Sequence, residues 1–278
     1  MLLGAHVGTA GGYVNAVTSG EELNADVIQI FTRNQMQWKP KPLDRRAALD
    51  FREAFKSSRL KAAVAHGSYL INLATPEKKL RAMSVKAVLD EVGRCDALGI
   101  GAYIFHPGSH VGSGEEKGEA REAESLTEIL SATENMDVKL ALEGMAGQGN
   151  VICHDFQAIR RVLDAVDSER LGVCIDTCHM FAAGYDMRDE DSLAETMHHF
   201  KKEIGMKKLL AVHLNDSKGE LGCRRDRHEN IGKGKIGIDG FRALMHYPGL
   251  GRIPMALETP GIGEYRREIE LLRKLASS

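Results

Sequence analysis

The sequence predicts an α/β fold, and within that class a (β/α)8 barrel, on three observations. Its 278 residues lie near the roughly 250 typical of such a barrel. Short apolar or β-branched runs alternate along the whole chain with longer stretches of helical period, the pattern of a parallel sheet wrapped by helices. No Pro/Ser-rich linker interrupts the alternation, so a single domain spanning residues 1–278 is expected.

Eight runs supply the strands: LLGAHV near Leu2, DVIQIFT from Asp26, AAVAHGS from Ala62, AYIFHPG from Ala102, KLALEG from Lys139, LGVCIDT from Leu171, LLAVHLND from Leu209 and PMALET from Pro254. The sixth continues through Asp186 as GVCIDTCHMFAAGYD and reads as a buried strand that ends in a carboxylate and an imidazole. Between the strands, the clearest helix opens on Thr75 as N-cap with Pro76 at the first helical position. It carries Leu80, Met83, Ala87, Val88, Cys95 and Leu98 on one face and stops at Gly99. Two segments break the alternation. Residues 31–42, FTRNQMQWKPKP, form a polar loop with the only tryptophan, and residues 217–237, SKGELGCRRDRHENIGKGKIG, form a longer basic one. Both follow strands, which puts them on the same face of the barrel and makes that face a candidate docking surface.

Composition limits the function classes. With 43% hydrophobic and 27% charged residues, no apolar run of about 18 residues and no signal-peptide pattern at its start, the chain is expected to be cytoplasmic, with no membrane partner. Five cysteines without regular spacing argue against a disulfide framework. The formal charge of -2 does not by itself advertise a nucleic-acid binder.

The chemistry lies at the strand ends: His66, His106, Glu143, Asp176 with His179, His213 and Glu258, joined by Asp226 and His228 in the basic loop. In a (β/α)8 barrel these ends converge on one face. Four carboxylates held together there would repel one another unless cations lie between them. Imidazole and carboxylate without thiolate suit zinc or manganese in a catalytic site, and nine donors are too many for one such ion and suggest up to three. Such a cluster activates water and neutralises phosphoryl charge, which fits phosphodiester hydrolysis. Three divalent ions would shift the formal charge from -2 to about +4. His6, His110, His154, His198, His199 and His246 are expected to be structural or surface residues, and Cys174 to be core.

FTRNQMQW, HGSYLINLA, FHPGSH, GMAGQG, GVCIDTCHMFAAGYD, HLNDSKG, DRHENIGKGKIG and ALETP, in this order, resemble the endonuclease IV family of DNA-repair enzymes. The resemblance implies a trinuclear zinc enzyme on a TIM barrel that acts on double-stranded DNA. It would cleave 5′ to an abasic site, leaving a 3′-hydroxyl and a 5′-deoxyribose phosphate, and would trim blocked 3′ ends. DNA on an open barrel face needs only a monomer, which is the expected state, in the cytoplasm and at the nucleoid when acting on DNA. Carried over by motif, His66 and His106 bind one zinc and share Glu143 with a second, which Asp176, His213 and Glu258 complete. His179, Asp226 and His228 hold the third. Tyr69 and Leu70 match residues that enter the DNA at the lesion, and Arg33, Met36, Arg225 and Arg227 are further candidate DNA contacts. This chain departs from the family pattern at Gly144-Met145, where many members read Asn-Thr, and at Met36, where several bacterial members carry arginine. A metal-dependent sugar isomerase on the same barrel and a lesion-binding protein without catalysis are the alternatives.

Overall fold

The structure, a computed structural model, describes residues 1–278, the side chain of Ile262 excepted. Its strands are β1 Leu2–His6, β2 Val27–Phe31, β3 Ala62–His66, β4 Ala102–Phe105, β5 Lys139–Glu143, β6 Leu171–Asp176, β7 Leu209–Leu214, β8 Asp216–Ser217, β9 His228–Glu229 and β10 Pro254–Leu257. The eight long ones pair in parallel and close into a barrel in the order β1-β10-β7-β6-β5-β4-β3-β2, matching the eight runs read from the sequence. The short β8 and β9 pair antiparallel, Ser217 opposite His228. They form a hairpin within the basic loop that the sequence had not suggested.

The helices α1 Tyr13–Glu22, α2 Arg45–Ser57, α3 Lys78–Leu98, α4 Glu115–Ala132, α5 Phe156–Val166, α6 Thr177–Ala183, α7 Glu190–Glu203, α8 Gly237–His246 and α9 Tyr265–Ser277 follow the strands. Helix α5 illustrates why they form and dock. Asp155 caps it by accepting from the Ala158 N–H at 2.7 Å. Phe156, Ile159, Val162 and Leu163 then recur at helical spacing and are buried against the sheet. Each such side chain contributes about 1.5–3 kcal/mol by leaving water.

Helix α3 corrects one expectation. It begins at Lys78, not Pro76. The Thr75 hydroxyl accepts from the Glu77 N–H at 3.2 Å, a local turn that competes with helix at this point. Its end is as expected, with Gly99 in the left-handed conformation at φ 74°.

The core has two parts. A large one lies between sheet and helices, and a small one, Val64, Ile104, Ala141, Cys174 and Ala211, fills the barrel interior. Cys174 is therefore core, as expected.

Candidate metal centre

The small inner core dictates where the polar residues go. Side chains along a strand alternate between faces, so the next inward position is two residues on. Two residues beyond Val64, Ile104, Ala141, Cys174 and Ala211 stand His66, His106, Glu143, Asp176 and His213. The same step leads from Gly4 to His6, from Val27 to Gln29 and from Ala256 to Glu258. Every barrel strand thus presents a polar residue to the interior at its C-terminal end. Asp176 also caps helix α6, accepting from the His179 N–H at 2.9 Å, which fixes His179 at the same rim.

Glu143 is fully buried at the centre of this ring. Its Oε2 lies 3.1 Å from His66 Nε2 and 3.4 Å from His106 Nε2. Its Oε1 lies 3.2 Å from His179 Nδ1 and 3.3 Å from His213 Nδ1. His213 Nδ1 is also 3.4 Å from Glu258 Oε2 and 3.8 Å from Asp176 Oδ2. On the other side, Asp226 spans His179 Nε2 at 3.2 Å and His228 Nε2 at 3.1 Å. Donor atoms within 4.8 Å of one another include the sets His66, His106, Glu143; Glu143, Asp176, His213, Glu258; and His179, Asp226, His228. The fold brings together all nine residues singled out as ligands.

The hydrogen bonds fit a divalent cation. His66 Nδ1–H donates to Gly67 O at 2.9 Å, His179 Nδ1–H to Gly144 O at 3.1 Å and His228 Nδ1–H to Glu258 O at 3.2 Å. His213 instead donates from Nε2–H to Gln29 Oε1 at 2.8 Å. A carbonyl can only accept, so each ring has one nitrogen fixed as donor and turns the other, with its lone pair, to the centre. Glu143 Oε1, His179 Nε2, His213 Nδ1 and His228 Nε2 are buried yet have no hydrogen-bond partner. Orphaned buried atoms this close together are the signature of donors to an ion. Among the described residues, none of the four carboxylates pairs with a lysine or arginine.

Without a cation, protons take its place. At His66, His179, His213 and His228 burial would lower the imidazole, but the facing carboxylates outweigh it. His66 is raised by its hydrogen bond with Glu143 and the Glu258 charge, and His179 lies well above its ordinary value beside Asp176. His213 is also well above, beside Cys174 and facing Glu258 and Glu143, and His228 rises to about 9 against Asp176 and Asp226. Conversely, burial would raise Glu143, but His213 and His106 hold it well below the carboxylate range. Burial would likewise raise Glu258, but His213 and His6 hold it below the carboxylate range. Asp226 is lowered, against burial, by His179 and His228.

Three residues at the centre were missed or misjudged from sequence. His6 stands inside the ring, its Nδ1 3.5 Å from Glu258 Oε1, and does not belong with the structural histidines. Gln29 donates to Glu258 Oε1 at 2.5 Å while accepting from His213. Asn215 donates to Asp176 Oδ2 at 2.7 Å and accepts from the Glu258 N–H at 3.0 Å. The period-two step would have located His6 and Gln29.

Asp216, fully buried, organises the loop that carries Asp226 and His228. Its carboxylate accepts from the N–H groups of Ser217, Gly232, Gly234 and Ile236 at 2.8–3.0 Å. Gly234 is required there, since a Cβ would lie 2.4 Å from the Ser217 carbonyl oxygen.

Around the rim, Met36 and Tyr69 are 64% and 57% exposed, Leu70 is half-buried, and Arg225 and Arg227 are exposed. The Tyr69 ring stands 6.0 Å from His66 and 6.2 Å from His106. Beside it a cavity of about 860 Å³ is lined by His6, Phe31, Tyr69, His228, Glu258 and Tyr265, among others. Arg33 departs from expectation. Its side chain is 2% exposed and Nε donates to Glu91 Oε1 at 2.7 Å, so it faces helix α3 and not an external phosphate. Gly144 also has a local reason: a Cβ there would fall 2.6 Å from Met180 Cε, so the Met180 side chain fills the space another residue would need.

A family model described as a xylose isomerase-like TIM barrel matches residues 18–275. A protein of Chloroflexus aurantiacus named probable endonuclease 4 is 40% identical over 276 residues, 98% of this chain and 97% of its own. The crystal structure of endonuclease IV from Thermus thermophilus has a TM-score of 0.89 at 30% identity, covering 100% of this chain and 99% of that one. A D-tagatose 3-epimerase-like protein, 21% identical with a TM-score of 0.76 over 100% of this chain and 97% of its own, shares the fold alone. From the nearly full-length identity to the first and the superposition on the second, the chain belongs to the endonuclease IV family of xylose isomerase-like TIM barrels.

Proposed function

We propose that this endonuclease hydrolyses the phosphodiester 5′ to an abasic site in double-stranded DNA, leaving a 3′-hydroxyl and a 5′-deoxyribose phosphate, and that it also trims blocked 3′ ends. The observation that carries the reading is the ring of nine donors with orphaned atoms at the barrel mouth, beside the exposed side chains of Met36 and Tyr69. His66 and His106 with Glu143 would hold one zinc ion. Glu143, Asp176, His213 and Glu258 would hold a second, and His179, Asp226 and His228 a third. Manganese is an alternative at one or more of these positions, since its preferred donors overlap those of zinc.

Bound zinc supplies an activated water and neutralises charge on the phosphate and its departing oxygen. The chain's own residues set the geometry for that chemistry. Glu143 spans two donor sets with one oxygen each, which fixes their spacing. Gln29 holds His213 and Glu258 in register. Burial pushes the Tyr69 hydroxyl up to about 12, so it keeps its proton at neutral pH and remains a donor. With Leu70 and Met36 it would enter the duplex at the lesion, opening the stack as apolar wedges do. Arg225 and Arg227 would face phosphates and make binding salt-dependent.

The test is incision of a duplex carrying one synthetic abasic site. The metal-loaded protein should cut it once, on the 5′ side. Activity should vanish on prolonged chelation and return with zinc. Absence of incision, or incision that survives chelation, contradicts the proposal, and binding without cutting favours a lesion-binding protein.

A further inference from the structure

We propose that Glu91, on helix α3 and outside the donor ring, is a positioning residue that locks together the two loops carrying Met36 and Tyr69. This rests on the proposed role of those loops at the lesion. Glu91 is 1% exposed. Its Oε1 accepts from Arg33 Nε at 2.7 Å, in the loop after β2. Its Oε2 accepts from the Ser68 N–H at 3.3 Å, in the loop after β3, and from the Tyr103 hydroxyl at 3.2 Å, on β4. One carboxylate therefore ties both loops to the barrel.

The tie reaches the exposed residues in short steps. Arg33 Nη1 donates to Gln37 O at 3.0 Å, one residue past Met36. The Ser68 hydroxyl donates to Gln35 O at 2.6 Å, one residue before Met36, and accepts from the Leu70 N–H at 3.3 Å. The backbone on either side of Met36 is thus pinned to Arg33 and Ser68, and both lead to Glu91. Loops that must open a base stack do so at lower cost if they are ordered before DNA arrives, because the entropy of ordering is already spent. A buried carboxylate that accepts from two loops and a strand supplies that order, and it touches no metal ligand. An arginine on the DNA-facing loop but turned inward is explained in the same way.

The distinguishing experiment uses the zinc-loaded protein and a duplex with a tetrahydrofuran abasic analogue next to 2-aminopurine, whose fluorescence rises when the stack opens. Glu91→Gln should retain all its zinc by elemental analysis and keep turnover at saturating DNA within about threefold. It should raise KM by roughly tenfold or more and lose most of the fluorescence rise that precedes incision in stopped flow. Ser68→Ala, which removes the Gln35 bond without stranding a charge, should shift both quantities in the same direction by less, and it decides the matter if Glu91→Gln does not fold. Arg33→Lys should recover part of the loss seen in Arg33→Ala. Tyr69→Ala is the reference. If Tyr69→Ala loses the fluorescence rise while Glu91→Gln and Ser68→Ala, folded and zinc-loaded, keep it and keep the wild-type KM, the positioning role of Glu91 is wrong. If Tyr69→Ala itself opens the stack normally, the lesion-contact reading fails first and this proposal falls with it.

Discussion

His228 and Gln29 contribute to the centre in different ways. His228 turns its Nε2 toward the Asp226 and Asp176 carboxylates, at 3.1 and 3.7 Å, so His228→Ala should remove about one zinc ion per chain and leave the others bound, as elemental analysis after gel filtration would show. Unchanged stoichiometry would exclude it as a ligand. Gln29 touches no ion in the proposed arrangement. It fixes the His213 ring through Nε2 and steadies Glu258. Gln29→Leu leaves the His213 Nε2–H without its acceptor and should weaken metal binding at that donor set by about 10–100-fold, read by competition with a chelator of known affinity. Sequence reading found His228 beside Asp226 in the basic loop but passed over Gln29, because an amide within an apolar strand stands out only once the period-two step from Val27 is followed.

At the scale of elements, the loop between β8 and α8 behaves as a folded unit. Asp216 sits at its root and gathers backbone N–H groups from its far end, while β8 and β9 pair across it. Asp216→Asn replaces one accepting oxygen with a donor and should cost about 2–3 kcal/mol. The loss should be local: amide exchange at residues 232–237 should quicken, and the ion held by His179, Asp226 and His228 should dissociate first. Equal exchange across the whole chain would mean that Asp216 supports global folding instead. The sequence marked this loop as basic and glycine-rich, but its hairpin and its root were not legible. Two-residue strands carry no periodicity, and a nest of N–H groups has no side-chain signature. Helix α3 shows the same limit at its start, where a Thr hydroxyl bond delays the first turn.

Across the whole molecule, the coupled charges at the barrel mouth set a pH dependence. In metal-stripped protein, histidines raised above their unfolded value of 6.5 contribute stability that is fully present below 6.5. That contribution is lost as pH rises through their folded values, about 9 for His228. Glu258, lowered from 4.5, contributes stability present above 4.5 and lost as pH falls through its folded value. Stripped protein should therefore melt at a lower temperature at pH 9 than at pH 6.5. Zinc-loaded protein should not show this loss, because the ligand form of histidine is neutral and its affinity for zinc rises with pH. Calorimetry of both forms would check this, and a melting temperature of stripped protein that climbs from pH 6.5 to pH 9 would contradict it.

The sequence by itself determined the barrel and most of its ring of candidate metal donors. Strand and helix periods are local properties, and a parallel barrel sends every strand end to one face whatever the details of packing. The motifs at those ends then carried the family resemblance. Only the tertiary structure decided which donor faces which. Whether His6 joins the ring, whether Arg33 faces DNA or Glu91, and which imidazole nitrogen is free depend on residues tens to hundreds of positions away. Hydrogen-bond geometry and burial between such residues arise only when the chain is closed.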